Sequence, residues 1–192
     1  MNPVVCIAFS FLGCFNFINA ASIPSKAALT LPYGRSVEGA EVDISEYPYQ
    51  VTLLYFSSQI CAGSIISPRW ILTAAHCLSS GNVLFRYTIR AGSNFRNSGG
   101  VSVAVVSIRP HSRYNSSSEE YDIGLVRITS DLTYDNTIRA VSLPTPNIDI
   151  RSGTNATATG WEDGVSQSHL RSVSIPLVDN DVCQQRVIRA NH

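Results

Sequence analysis

The sequence lacks an excess of charge of either sign. Its 192 residues contain 14 Lys plus Arg and 14 Asp plus Glu, so the formal net charge is zero. Lysine is almost absent, since Lys26 is the only one, and the basic residues form no run. Proteins that bind nucleic acids or acidic membrane surfaces carry clustered positive charge. We therefore expect neither a nucleic acid nor a membrane as a partner.

Long hydrophobic runs are also scarce. The longest, Val4 to Ile18, has 15 residues, which is short of the roughly 20 that a membrane-spanning helix needs. Small residues follow it directly in Asn19-Ala20-Ala21-Ser22, as they do at the cleavage site of a secretory signal peptide. The pattern predicts a signal peptide over residues 1–21 and a secreted, extracellular protein. A retained membrane anchor is the alternative.

The five cysteines divide into two groups. Cys6 and Cys14 lie within the predicted signal peptide, so the mature chain keeps Cys61, Cys77 and Cys183. In an oxidising compartment disulfides persist, but three cysteines cannot all pair within one chain. The leftover cysteine either bridges to another chain or has its partner outside these residues.

Short strands separated by polar turns dominate the chain beyond residue 35. The candidate strands are Tyr49 to Tyr55, Ser64 to Ile66, Trp70 to Thr73, Phe85 to Ala91, Val101 to Ile108, Ile123 to Ile128, Ala156 to Gly160 and Leu170 to Val178. One segment, Asn180 to Ile188, favours a helix, with Asn180 or Asp181 as its N-cap. Short strands at regular spacing predict an all-β barrel or sandwich.

One histidine stands among unusual neighbours. The string reads Cys61-Ala-Gly-Ser-Ile-Ile-Ser-Pro-Arg-Trp-Ile-Leu-Thr-Ala-Ala-His76-Cys77. A bridge between Cys61 and Cys77 would close a loop of about 15 residues, worth about 3 kcal/mol in the chain-entropy model, and would fix the backbone beside the imidazole. The two alanines before His76 allow close packing. The string therefore marks His76 as a functional residue rather than an ordinary core or surface histidine.

An aspartate begins a second informative segment, Tyr121-Asp122-Ile-Gly-Leu-Val-Arg-Ile128. Strand alternation places Asp122 on the same face as Gly124, Val126 and Ile128, a face that we expect to be buried. A buried carboxylate needs hydrogen-bond donors. The ring N–H of a histidine is a suitable one.

Together these segments resemble the trypsin/chymotrypsin family of serine endopeptidases, and the resemblance runs from about Arg35 to Cys183. Other segments that resemble the family, in its order, are Arg35-Ser36-Val37-Glu38-Gly39, Tyr47-Pro48-Tyr49-Gln50-Val51-Thr52-Leu53, Ala140-Val141-Ser142-Leu143-Pro144 and Thr157-Ala158-Thr159-Gly160-Trp161. The resemblance implies an all-β, two-barrel fold with the first barrel complete and the second incomplete.

The resemblance also implies a domain division. A short propeptide would cover residues 22–35, and a peptidase domain would cover 36–192. Within that domain the first barrel would span about 36–140, and part of the second would span about 141–192.

By the same resemblance, His76 is the general base of a Ser-His-Asp triad, and Asp122 holds its tautomer and stabilises the imidazolium. Activation of the zymogen would cut after Arg35 and create a new amino terminus at Ser36. The family's nucleophile lies in a Gly-Asp-Ser-Gly-Gly string, which does not occur in these 192 residues. We therefore expect the chain as given to be inactive. Cys183 should be unpaired, because its family partner lies just upstream of that string.

The sequence departs from the family at the activation site. Ser36 stands where the family usually has Ile or Val, and Glu38 replaces a glycine. Less apolar burial of the new amino terminus would weaken activation. These departures support an alternative function, a non-catalytic protease homologue that uses the same barrels as a binding or regulatory module.

The remaining expectations concern partners and modifications. The resemblance implies polypeptide substrates, protein inhibitors and an activating protease as partners of a monomer, with no cofactor. The family's calcium loop would fall between Gly92 and Val101, a segment without Asp or Glu, so no metal is expected. Asn115 and Asn155 begin N-glycosylation sequons.

Overall fold

The computed structural model describes residues 7–8, 39–78, 83–146, 151–161 and 168–179, and their architecture is all-β. The strands of this part of the chain are β1 (Ile7–Ala8), β2 (Ala40–Glu41), β3 (Gln50–Tyr55), β4 (Ser58–Ser67), β5 (Trp70–Thr73), β6 (Tyr87–Ala91), β7 (Val101–Pro110), β8 (Gly124–Ile128), β9 (Asn155–Trp161) and β10 (Leu170–Pro176). Three 3-10 turns accompany them, at Ile44–Glu46, His76–Leu78 and Leu84–Arg86. The all-β class predicted from the sequence is confirmed.

Six strands close into an antiparallel barrel in the order β3-β4-β5-β8-β7-β6, with β6 returning to pair with β3. The alternation of β6 and β8 explains which side faces inward, since every second residue of each is buried. The interior is filled by aliphatic side chains and one tyrosine: Val51, Leu53, Ile65, Ile71, Tyr87, Ile89, Val126 and Ile128 are each no more than 1% exposed. Closure leaves this sheet without a free edge.

A second, four-stranded sheet has the order β1-β9-β10-β2. Its centre is the antiparallel pair β9 and β10, joined over seven residue pairs from Leu170↔Trp161 to Pro176↔Asn155. Its edges are two-residue strands, β1 running parallel to β9 and β2 antiparallel to β10. Over the residues that the structure describes, this sheet does not close into a barrel, and its two-residue edge strands offer little backbone for further pairing.

Asn94 fastens the second sheet to the barrel. Its carbonyl oxygen accepts hydrogen bonds from the indole N–H of Trp161 at 2.8 Å and from the backbone N–H of Leu170 at 2.7 Å. Its side-chain oxygen accepts from the backbone N–H of Ile44 at 2.6 Å. Ile44, Trp161 and Leu170 also form a small apolar cluster with Ala62 on the outer side of β4. One residue thus positions three separate segments.

The strand predictions differ from the structure mainly in length. The segment predicted as Ser64 to Ile66 is the end of a ten-residue strand, β4, that begins at Ser58. Phe85 and Arg86 lie in a 3-10 turn rather than in β6. The predicted helix over Asn180 to Ile188 lies outside the described residues, as does the predicted signal peptide except for Ile7–Ala8.

Within the ranges that the structure describes, no helix combines the length and hydrophobicity that a membrane crossing requires.

Candidate active site

His76 and Asp122, 46 residues apart in sequence, meet at one end of the barrel. The Nδ1 atom of His76 lies 2.7 Å from Oδ2 of Asp122, and the backbone N–H of His76 donates to Oδ1 of the same carboxylate at 2.8 Å. Both oxygens of Asp122 therefore receive a donor from one residue. In the neutral form of the ring, this arrangement favours the tautomer with its proton on Nδ1, which makes Nε2 the basic nitrogen.

Burial differs sharply across the pair. The side chain of Asp122 has no exposed surface, whereas that of His76 keeps 24%. A buried carboxylate is stable when its oxygens are hydrogen-bonded, and the two bonds from His76 meet that need. The partly exposed ring remains accessible to a reactant.

Close packing of small residues brings the two elements together. Ala74 and Ala75, just before His76, are each 1% exposed. Gly124, two residues after Asp122, faces them across the β5–β8 pair, and a Cβ atom added there would lie 2.6 Å from Cδ1 of Leu78. The glycine of the aspartate segment therefore leaves room for the side chain of Leu78 in the histidine loop.

A disulfide joins Cys61 on β4 to Cys77, the neighbour of His76, with 6.0 Å between the Cα atoms. The Sγ atoms of Cys77 and Cys61 lie 3.3 and 3.9 Å from Nε2 of His76. The covalent bond anchors the short 3-10 turn that carries the histidine to the barrel wall. His76 is therefore held on one edge by Asp122 and bounded on the other by the disulfide.

The same three side chains form a group whose potential ligand atoms lie within 4.8 Å of one another. Zinc and other soft metals bind cysteine as the thiolate. Because the sulfur atoms of Cys61 and Cys77 are bonded to each other, this group offers a metal only the nitrogen of His76.

The segment between Gly92 and Val101, where the family's calcium loop would fall, is organised by its own hydrogen bonds. The hydroxyl of Ser93 donates to the carbonyl of Ser98 at 2.5 Å and accepts from the backbone N–H of Phe95 at 2.9 Å. The guanidinium of Arg90 donates to the carbonyl of Gly99. The guanidinium of Arg90 is thus the hydrogen-bond donor to one carbonyl group of the loop. The same loop carries Asn94, which binds the second sheet.

Tyr114 is a neighbour of the site that the sequence analysis did not identify. Burial raises the pKa of its phenol above the ordinary value, and the charges of Asp122 and Glu119 raise it further. The phenol therefore stays neutral over the whole physiological range. The sequence around Tyr114 gives no indication of a role in the site other than its position shortly before Asp122.

The other predicted residues fall in two groups. Asn115 and Asn155 are exposed, as glycosylation requires, and their modification stays a prediction. Arg35, Ser36 and Cys183 lie outside the described residues.

A closed antiparallel barrel that holds a buried aspartate against a histidine, beside a disulfide and a second sheet, defines the class of chymotrypsin-like proteases. The family model named Trypsin matches residues 36–192. The chain is 39% identical to Trypsin epsilon of Drosophila erecta over 185 residues, covering 94% of this chain and 70% of the relative. The chain belongs to the trypsin family.

Other similar proteins cover less. Trypsin alpha-4 of Lucilia cuprina is 37% identical over 154 residues, which are 78% of this chain and 59% of the relative. The chain thus spans about 60 to 70% of the length of such relatives. Among solved structures, the scabies mite inactivated protease paralogue S-D1 is similar in fold, with a TM-score of 0.72, 23% identity, and coverage of 79% of this chain and 66% of that one.

Proposed function

We propose that this chain is the front part of a secreted, zymogen-type serine endopeptidase that hydrolyses peptide bonds through an acyl-enzyme. The observation that carries the proposal is the Nδ1–Oδ2 contact of 2.7 Å between a partly exposed His76 and a fully buried Asp122. Membership of the trypsin family supports it. Polypeptides would be the substrates, with protein inhibitors and an activating protease as further partners.

In this mechanism the residues present supply the base and its orientation. Asp122, held by two hydrogen bonds from His76, keeps the Nδ1 proton in place, so that Nε2 takes the proton of a serine hydroxyl and later returns one to the leaving amine. As the imidazolium forms, the buried carboxylate stabilises its charge. No proton needs to move to Asp122.

The nucleophile would come from a Gly-Asp-Ser-Gly-Gly string, which the 192 residues do not contain. The proposal therefore predicts that a protein with this sequence alone is inactive. It also includes a signal peptide at residues 1–21, activation by cleavage between Arg35 and Ser36, and a bond from Cys183 to a cysteine near the nucleophile.

A fluorophosphonate probe, which reacts with an activated serine, tests the catalytic proposal on the protein isolated from its natural source. We expect labelling of the protein and loss of labelling in a recombinant His76→Ala variant of the same length. Intact-mass analysis of the isolated protein shows whether it carries sequence beyond His192. Absence of labelling in a folded, activated protein that contains the serine would contradict the proposal.

A second candidate function is a non-catalytic homologue that serves as a binding or regulatory module. Ser36, in place of the family's usual Ile or Val, favours it, because a serine contributes less apolar burial when the new amino terminus inserts. The scabies mite paralogue of similar fold is described as an inactivated protease. In the fluorophosphonate experiment this function predicts no labelling after cleavage at Arg35.

A further inference from the structure

Two phenylalanine rings project into solvent from one end of the barrel. Phe56, in the turn between β3 and β4, is 58% exposed, and Phe85, in the 3-10 turn before β6, is 79% exposed. The guanidinium of Arg86 lies over both, with its Cζ atom 4.0 Å from the ring centre of Phe56 and 5.5 Å from that of Phe85. We call these three side chains the aromatic clamp.

Phe56 of the aromatic clamp is packed against the barrel core. Phe56 contacts Tyr55 edge to face at 4.9 Å between ring centres, and Tyr55 contacts the fully buried Tyr87 at 4.7 Å. The backbone N–H of Phe56 donates to the carbonyl of Arg86 at 3.0 Å. Side chains held in this way lose little conformational freedom when a ligand binds.

The backbone at the clamp adopts a conformation that its side chains disfavour. Phe56 and Ser57 form a two-residue hairpin turn in which both φ angles are positive, 51° and 63°. Turns of this kind favour Asn-Gly, and a bulky residue in the left-handed region is an outlier. Strained conformations of this type cluster at sites that clamp ligands. A strained, solvent-exposed phenylalanine is therefore a candidate for a binding role.

The charge of the clamp and of the sequence segment that carries it favours an anionic ligand. Residues 47–118 contain six arginines and no Asp or Glu. In the described part of the chain Arg86 forms no ion pair with a carboxylate, and its Nε atom is enclosed without an acceptor. The contacts of its guanidinium are with the two rings. Its remaining N–H groups can therefore bind an incoming carboxylate.

We propose that the aromatic clamp is a docking site for a polypeptide segment that places an apolar side chain next to a carboxylate. Two ring surfaces and one cation match one apolar and one acidic side chain. A membrane surface or a nucleic acid would call for several basic residues in a row, whereas the clamp has one arginine. The charge complementarity thus selects a short acidic–apolar segment of a protein.

The clamp is separate from His76. The Sγ atom of Cys61 lies 3.9 Å from Nε2 of His76. Ser58, next to the turn that carries Phe56, precedes Cys61 by three residues on strand β4, which corresponds to about 10 Å along the strand. A segment docked on the clamp therefore leaves the imidazole in place. Docking can be measured without catalysis, and its failure would leave the proposed function untouched.

The test measures the binding of a fluorescein-labelled octapeptide, (Glu-Leu)4, to the full chain carrying His76→Ala, which prevents cleavage. We expect fluorescence anisotropy to show binding that weakens with salt, and no binding of (Gln-Leu)4. Arg86→Gln should weaken the affinity about tenfold or more, as expected for a central charged contact. Phe85→Ser, at an exposed ring that the fold does not need, should weaken it several-fold.

The matched control is Arg127→Gln, which removes an exposed arginine on β8 and should leave the affinity unchanged. Equal weakening by this control would overturn the proposal in favour of general charge attraction. So would an affinity unaffected by Arg86→Gln and Phe85→Ser. Two alternative results are that the protein binds phosphatidylserine vesicles and not the peptide, or that it self-associates in sedimentation. If Arg86→Gln and Phe85→Ser abolished either behaviour, the clamp would bind a different partner and the proposal would be overturned.

Discussion

The closed barrel and the second sheet differ in how far each forms its structure without the other. The barrel has no free edge, contains an interior of almost fully buried aliphatic side chains, and carries His76, Asp122 and their supporting disulfide. Over the described residues, the second sheet has two-residue edge strands and a small apolar cluster, and it is attached to the barrel through Asn94 and through the buried hydrogen bond from Thr159 Oγ1 to Gln50 Oε1. The site geometry is therefore a property of the barrel, to which the second sheet is added.

The largest expected effect concerns catalysis in the protein isolated with its nucleophile. Asp122→Asn should lower kcat by about 10⁴-fold, the magnitude known from the family's template, because an amide favours the wrong histidine tautomer. Steady-state hydrolysis of a peptide substrate measures it. Asp131→Asn is the control, since Asp131 is an exposed partner of Arg69, and it should leave kcat unchanged. Equal losses of kcat in both variants would mean that catalysis does not depend on the hydrogen bonds between His76 and Asp122.

The second-largest expected effect is a loss of stability when the disulfide of the barrel is removed. The double variant Cys61→Ala/Cys77→Ala should lower the free energy of unfolding by about 3 kcal/mol, because the bond closes a loop with a sequence separation of 16 residues. Urea denaturation gives the value. The reduced wild-type protein should show the same loss. An unchanged midpoint in both would mean that the barrel holds the histidine loop without the bond.

Two glycines allow a direct comparison of the regions. Gly124→Ala should destabilise the barrel by about 1–3 kcal/mol, since the new Cβ would lie 2.6 Å from Leu78 and the core cannot absorb it freely. At Gly160 in the second sheet, no atom of the described residues lies within 4 Å of an added Cβ, so Gly160→Ala should change stability by no more than about 0.5 kcal/mol. Thermal unfolding of both variants measures the difference. Equal destabilisation would contradict the packing at Gly124.

The smallest effect lies beside the second sheet, at Asp43. Hydrogen bonds from the side chains of Ser45 and Asn94 lower its pKa from 3.8 to about 2. Because the pKa is lower in the folded state, Asp43 contributes stability above about pH 4, and the contribution is lost as the pH falls through about 2. The difference in stability between wild type and Asp43→Ala should therefore shrink over this interval.

A second variant checks the cause of the shift at Asp43. Ser45 supplies the largest of the contributions that lower the pKa, so Ser45→Ala should move the loss of stability toward higher pH. Denaturation curves between pH 5 and about pH 2 would show it. An unchanged interval would exclude the Ser45 hydroxyl as the cause.

Much of the barrel could be predicted from the sequence because its signals are local. Trp70 to Thr73 is a short β-favouring run that follows Ser67-Pro68-Arg69, and it forms β5 with the bounds predicted. The first half of β4, from Ser58 to Gly63, could not be predicted, because its polar and small residues show no alternation and are strand only through pairing with β3. Long-range pairing, not propensity, forms that strand.

In the candidate site, too, some features could be predicted from local sequence and others depend on contacts between distant segments. The strings around His76 and Asp122 predicted the two residues through their resemblance to a family, and burial of Asp122 followed from alternation. The role of Asn94 as an attachment point could not be predicted, because its partners Ile44, Trp161 and Leu170 lie far from it in sequence. The clamp also requires the fold, which brings Phe56 and Phe85 to the same arginine.

The central claim is that the barrel alone orients His76 through Asp122, and ¹⁵N NMR of the purified chain tests it most directly. We predict that neutral His76 carries its proton on Nδ1, with Nε2 unprotonated, and that Asp122→Asn changes this tautomer while Asp131→Asn does not. A neutral His76 with its proton on Nε2, or a tautomer unaffected by Asp122→Asn, would contradict the claim.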